Sequence, residues 1–115
     1  MIAVKRFLNK PIIYPHMDDR MGDNINGPSL IRAPNWLKKP LGRYYLYFSG
    51  HKGTYIRLAF SNSLMGPWEI YYNGVLELND SYFMLQDPSD GSLYAHIASP
   101  DVHVDDENGS IVMYF

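Results

Sequence analysis

The chain has 115 residues, of which 46% are apolar and 19% charged, a balance that excludes a disordered polypeptide and suits one globular unit. Twelve acids against ten bases leave a net charge of −2, so there is no electrostatic case for nucleic acid or an anionic membrane as partner. The absence of cysteine removes disulfides, thiolate zinc sites and cysteine nucleophiles. The first apolar run in the chain spans residues 28–33. Two richer runs follow at 43–49 and 54–61, joined by a turn from Gly50 to Gly53. A fourth covers 68–72, entered through a Gly66-Pro67 turn, and a short run covers 75–78. All are short, rich in Tyr, Ile, Val and Phe, and bounded by Gly, Pro, Asn or Asp, which reads as strands and turns rather than helices. Residues 79–92 form a polar connector with Asp87-Pro-Ser-Asp-Gly91, expected to be a loop over the top of a sheet. Strand-like runs then resume at 99–104 and 111–115, with the hairpin signal Asn108-Gly109 between them.

Four short strands with tight turns make an up-and-down antiparallel meander, the size of one propeller blade. The second strand is apolar at every position from Tyr44 to Phe48, so both of its faces should be covered. The third alternates, with Ile56, Leu58 and Phe60 opposite Tyr55, Arg57 and Ala59. Arg57 is accordingly expected to face away from the core and pair with an acid. Residues 99–104 echo 27–32, and 111–115 echo 44–48, as if the meander restarts. Because Phe115 falls inside an apolar strand, the chain reads as the N-terminal piece of a longer protein, marginal alone and without a complete site. No apolar run approaches the roughly 20 residues of a membrane span. The N-terminus shows no apolar core followed by a small-residue cleavage site, so no signal peptide is visible.

Three stretches together resemble the five-bladed β-propeller glycoside hydrolases of the glycosyl hydrolase family 43 type. NGPSLIRAP at 26–34 with GRYYLYFS at 42–49 is similar to the opening of blade one. IRLAFSNSLMGPW at 56–68 resembles the strand and Gly-Pro-Trp turn that follow. ASPDV at 98–102 with IVMYF at 111–115 resembles the opening of blade two. The resemblance implies an all-β, five-bladed propeller, with blade one over about 24–78 and the start of blade two over 93–115. It also implies inverting hydrolysis of poly- or oligosaccharide by two opposed carboxylates, one protonating the leaving oxygen and one activating water. No organic cofactor or protein partner is implied, and a channel cation has no set of ligands behind it.

Carried over by position, Asp101 matches the carboxylate that tunes the general acid, and the acid itself belongs to a later blade. The sequence departs from the family at Gly27, where the resemblance places the base aspartate. Asp19 and Asp23, beside Asp18 and just upstream, are the substitute candidates. Asn24 and Asn26 suit sugar hydroxyls or Asx turns equally. His51, His96 and His103 are candidate sugar ligands, His103 on the same side of its strand as Asp101. Histidines on strands are also commonly satisfied by backbone carbonyls. Trp36 and Trp68 suit stacking on a sugar ring, although Trp68 reads better as core. Asp105, Asp106 and Glu107 lack calcium-loop spacing and read as a solvated hairpin tip. A non-catalytic sugar-binding propeller, motivated by Gly27, and an interaction scaffold are the rival readings.

Overall fold

A computed structural model describes residues 1–82 and 95–115. Among these, β1 (Asn26–Arg32), β2 (Tyr44–Ser49), β3 (Tyr55–Ser61) and β4 (Glu69–Glu77) form an antiparallel meander in the order β1-β2-β3-β4. A second antiparallel pair joins β5 (Asp101–Asp105) to β6 (Ser110–Tyr114). The all-β expectation and the four-strand meander therefore stand, with no α-helix among the described residues. The runs expected at 68–72 and 75–78 are one strand, β4, bent by a bulge. Ile56 pairs with Leu76 and Leu58 with Tyr71, so several β4 residues lie opposite Arg57 alone. Gly74 makes this bend feasible. Its φ is +66°, and a Cβ there would lie 2.5 Å from the Ile56 carbonyl oxygen. A 3-10 turn at Leu78–Asp80 begins the expected connector, whose Asp87 to Gly91 stretch lies outside the described residues.

The two faces of the larger sheet are covered differently. On one, Ile31, Tyr45, Tyr47 and Leu58 pack with Val102 of β5, joined by Val104, Ile111 and Met113. The small sheet thus lies against the large one, and β1 and β5 are neighbours. On the other face, Leu46, Phe48, Ala59 and Trp68 pack under Met21, with Ile13, Met17 and Ile25 of the N-terminal segment. A third cluster, Ile56 with Leu78 and Ile97, ties residues 95–97 to the sheet. Coverage on both sides explains why β2 is apolar throughout.

The alternation expected for β3 is not observed. Tyr55, Ile56, Arg57, Leu58 and Ala59 are all buried, because the N-terminal segment covers the face that the sequence left to water. Arg57, 7% exposed, has no carboxylate within ion-pair distance among the described residues. Its guanidinium instead donates Nη1 to the Asn24 carbonyl at 2.7 Å and lies beside the Phe48 and Tyr55 rings. The guanidinium therefore holds the N-terminal segment down through a backbone carbonyl. On the other side of that segment, Arg20 stacks on Tyr55 at 3.7 Å and bonds Glu77 and the Tyr72 and Asn73 carbonyls. Trp68 is core, as expected, with its indole N–H on the Leu64 carbonyl.

Burial pushes the Tyr47 phenol up to about 12, with neighbouring Tyr45 adding to the shift. In the unfolded chain the phenol releases its proton near 10. Between those values the unfolded state holds fewer protons, so stability falls as pH rises from about 10 to about 12. Urea midpoints measured across that range should decline, and Tyr47→Phe should flatten part of the decline.

Candidate functional site

The polar residues singled out in the sequence gather where β1 and β5 begin and β2 ends. Asn26 pairs with Ser49, and then Gly27 and Pro28 together face Phe48 before pairing resumes at Ser29 and Tyr47. This bulge requires Gly27, whose φ is +61°. A Cβ on Gly27 would lie 2.8 Å from the Ser99 Cα, so the segment leading into β5 rests directly on the β1 opening. Any side chain at position 27 would therefore meet the Ser99 backbone.

Two serines lock the junction. Ser49, fully buried, donates its hydroxyl to Asn26 Oδ1 at 3.3 Å and accepts the Ser99 N–H at 3.0 Å. Ser29 Oγ accepts the Val102 N–H at 3.0 Å. Asn24 and Asn26 act as loop holders. Asn24 Oδ1 accepts the His51 N–H at 2.7 Å and the Asn26 Nδ2 at 3.3 Å. Neither makes an Asx turn, since their partners are the His51 N–H, each other and the Ser49 hydroxyl, and the side chains remain exposed at the rim. His51 is held through its backbone, which leaves its imidazole exposed on the hairpin between β2 and β3. His96 is exposed beside that hairpin, since the next residue, Ile97, donates its N–H to the Gly53 carbonyl at 2.9 Å.

Asp101 opens β5 with its side chain 66% exposed, and His103 Nε2 lies 3.0 Å from Asp101 Oδ1. The two share the β5 face turned away from Val102, as strand periodicity requires. The Tyr114 ring meets the His103 ring edge-on, with centroids 6.1 Å apart. The structure thus brings Asn24, Asn26 and His51 together, with His96 beside them, whereas Asp101 and His103 stand on the β5 face turned away from the large sheet.

The upstream acids are arranged otherwise. Asp23 is bonded to His16 on an irregular segment, Asp18 caps a turn through the Arg20 and Met21 N–H groups, and Asp19 is exposed. Trp36 belongs to the opposite end, where its indole N–H binds Asp106 at 2.8 Å. Asp105 accepts both the backbone N–H and the side-chain amide of Asn108, which holds its carboxyl below the usual range. Asp105 is therefore tied into hairpin capping and Asp106 into the Trp36 contact. An apolar hollow of about 530 Å³ under Ile13, Leu30, Leu46 and Phe48 lies on the sheet face away from β5 and contains no titratable side chain. Among the described residues no three His, Asp or Glu side chains converge as a metal site.

Sequence reasoning missed the junction hydroxyls of Ser29 and Ser49 and the latch role of Arg57. No family model and no solved structure matches the chain. An uncharacterized protein of Acanthamoeba polyphaga mimivirus is 36% identical over 99 residues, covering 80% of this chain and 28% of the viral protein. The chain thus spans little more than a quarter of the length of that relative.

Proposed function

We propose that this rim binds a carbohydrate and belongs to a glycoside hydrolase built as a five-bladed β-propeller. The observation that carries the reading is the junction itself, where amide and imidazole side chains stand at the opening of β1 and a carboxylate opens the neighbouring β5. Such a set of hydrogen-bonding groups with both donors and acceptors suits sugar hydroxyls. The neighbouring first strands β1 and β5, and the packing of one sheet against the next, are the relations that consecutive blades have in a propeller. Asp101 is the carboxylate of the site on this side, and hydrolysis needs a second, opposed group.

The test is turnover of a panel of 4-nitrophenyl α- and β-glycosides of pentoses and hexoses by the full-length protein. Hydrolysis of at least one is expected, with Asp101→Asn lowering kcat by about 10²-fold, the scale of a lost acid–base group. Absence of turnover across the panel overturns the reading. One observation favours a second reading, a sugar binder without hydrolysis: the Gly27 position has no room for a carboxylate. Saturable binding of the same sugars without turnover would select it.

A further inference from the structure

We infer that the saccharide of this site is acidic and that the buried Arg57 guanidinium, at the base of the β2–β3 hairpin, receives its carboxylate, an assignment that rests on the carbohydrate reading above. Arg57 stands opposite Phe48 in the register of β2 and β3 and is 7% exposed. No carboxylate lies within ion-pair distance of it among the described residues. A guanidinium does not give up its proton inside a protein, so its burial calls for a counter-charge or for a full set of hydrogen bonds. It has neither. Nη1 donates to the Asn24 carbonyl at 2.7 Å, whereas Nε is buried with no hydrogen-bond partner. Latching the N-terminal segment therefore accounts for Nη1 and leaves the cation without an anion.

The remaining edge of the guanidinium is the one that fits a carboxylate. The N–H groups of Nε and Nη2 run parallel, a fork that matches both oxygens of a carboxylate. Nη2 lies against Gly50, where a Cβ would sit 3.1 Å from that nitrogen and 3.3 Å from the Asn24 carbonyl oxygen. A side chain at position 50 would cover Nη2, and glycine leaves it reachable from the hairpin. The candidate sugar ligands are at the same corner. Asn24 Oδ1 accepts the His51 N–H at 2.7 Å, and the bond from Ile97 to the Gly53 carbonyl brings His96 alongside.

The charge of this region has one sign. Between Asp23 and Glu69 the sequence carries Arg32, Lys38, Lys39, Arg43, Lys52 and Arg57 and no acid, in a chain whose net charge is −2. Lys52 is exposed on the hairpin beside His51. Three acids of the N-terminal segment and β4 are engaged elsewhere: Asp23 with His16, Asp18 with the Arg20 and Met21 N–H groups, and Glu77 with Arg20. The Phe48 and Tyr55 rings flank the Arg57 guanidinium, and an ion pair formed in such apolar surroundings is stronger than one in water. A neutral sugar would leave the buried cation unpaired, which is the physical basis for discrimination.

Calorimetric titration of the full-length protein with the 4-nitrophenyl β-D-glucuronide and β-D-galacturonide, beside the matching glucoside and galactoside, tests the assignment. At least one uronide should bind about tenfold or more tightly than its neutral counterpart, the scale of a charge-assisted hydrogen bond. Arg57→Lys keeps the charge, loses the fork and should remove most of the preference. Because Arg57 also holds the N-terminal segment, Gly50→Ala provides a second reading. It keeps the guanidinium but covers Nη2, and should weaken uronide binding by more than it weakens binding of the neutral glycosides. Equal affinity for uronides and neutral glycosides overturns the inference and leaves the carbohydrate reading standing. A preference that survives both variants overturns it as well, and so does acetate binding as tightly as the uronides, which would mark an anion site unconnected with sugar. Binding of none of the four glycosides overturns the inference, and the turnover panel above then decides the carbohydrate reading by itself.

Discussion

Gly27→Ala should lower stability by about 2–5 kcal/mol, more than any surface substitution in the chain. Two costs combine there. A non-glycine residue held at positive φ costs about 1–2 kcal/mol. Forcing an extra carbon into a packed contact costs about 1–3 kcal/mol more, here against the Ser99 Cα at 2.8 Å and the Ser99 N at 3.3 Å. Gly109 provides the control, since its φ is +60° and nothing lies within 4 Å of an added Cβ. Gly109→Ala should therefore show the backbone cost alone. Urea midpoints of the two variants would separate the terms, and equal shifts would refute the Ser99 contact. Gly27→Asp, which writes the missing base carboxylate back into the sequence, should not create a base. Aspartate tolerates the left-handed region better than alanine, but its Cβ meets the same atoms, and β5 would have to lift off β1.

Ile97→Ala should be comparably damaging, at about 2–5 kcal/mol, because the side chain is 1% exposed between Ile56 and Leu78. Its consequence differs from that of an ordinary core truncation. Ile97 is the apolar anchor that brings residues 95–101 to the sheet, and its N–H is bonded to the Gly53 carbonyl. Loosening it should release His96 and the start of β5 together. Amide exchange should therefore quicken at Ser99 and Val102 more than at Leu46 or Leu58 in the centre of the large sheet. Uniform acceleration across both sheets would mean that the 95–101 segment has no stability of its own to lose.

The strands were legible where composition alone decides. β2 is apolar at consecutive positions and could only be covered on both faces, and the Asn108-Gly109 hairpin announced β5 and β6. β3 was misread because its second face depends on a segment with no strand signal. Ile13, Met17, Met21 and Ile25 recur at every fourth residue, a helical spacing, yet the chain there runs in turns and bends. Prolines at 11 and 15 and the glycine at 22 disfavour a helix across it. Arg57 then became a buried latch rather than an exposed partner for an acid.

At the rim, the shared face of Asp101 and His103 followed from strand periodicity, whereas Asn24 and Asn26 bond across to His51 and Ser49, contacts that local turn chemistry does not contain. Ser29 and Ser49 did not, because a serine hydroxyl bridging two sheets leaves no periodic trace. Gly27 was legible as a departure from a resemblance. Its cause, the close approach of another stretch of backbone, is a tertiary fact that no local pattern contains.

The whole account depends on β5 crossing the opening of β1, with Ser99 seated on Gly27 and Val102 among Ile31, Tyr47 and Leu58. Nuclear Overhauser spectra of the chain read this contact directly. A strong cross-peak between the Gly27 and Ser99 α-protons is expected, together with contacts from the Val102 methyls to the Tyr47 ring. Spectra in which the Leu30–Leu46 cross-strand contacts appear but both of these are missing would contradict the account, because the candidate residues would then belong to two unconnected surfaces.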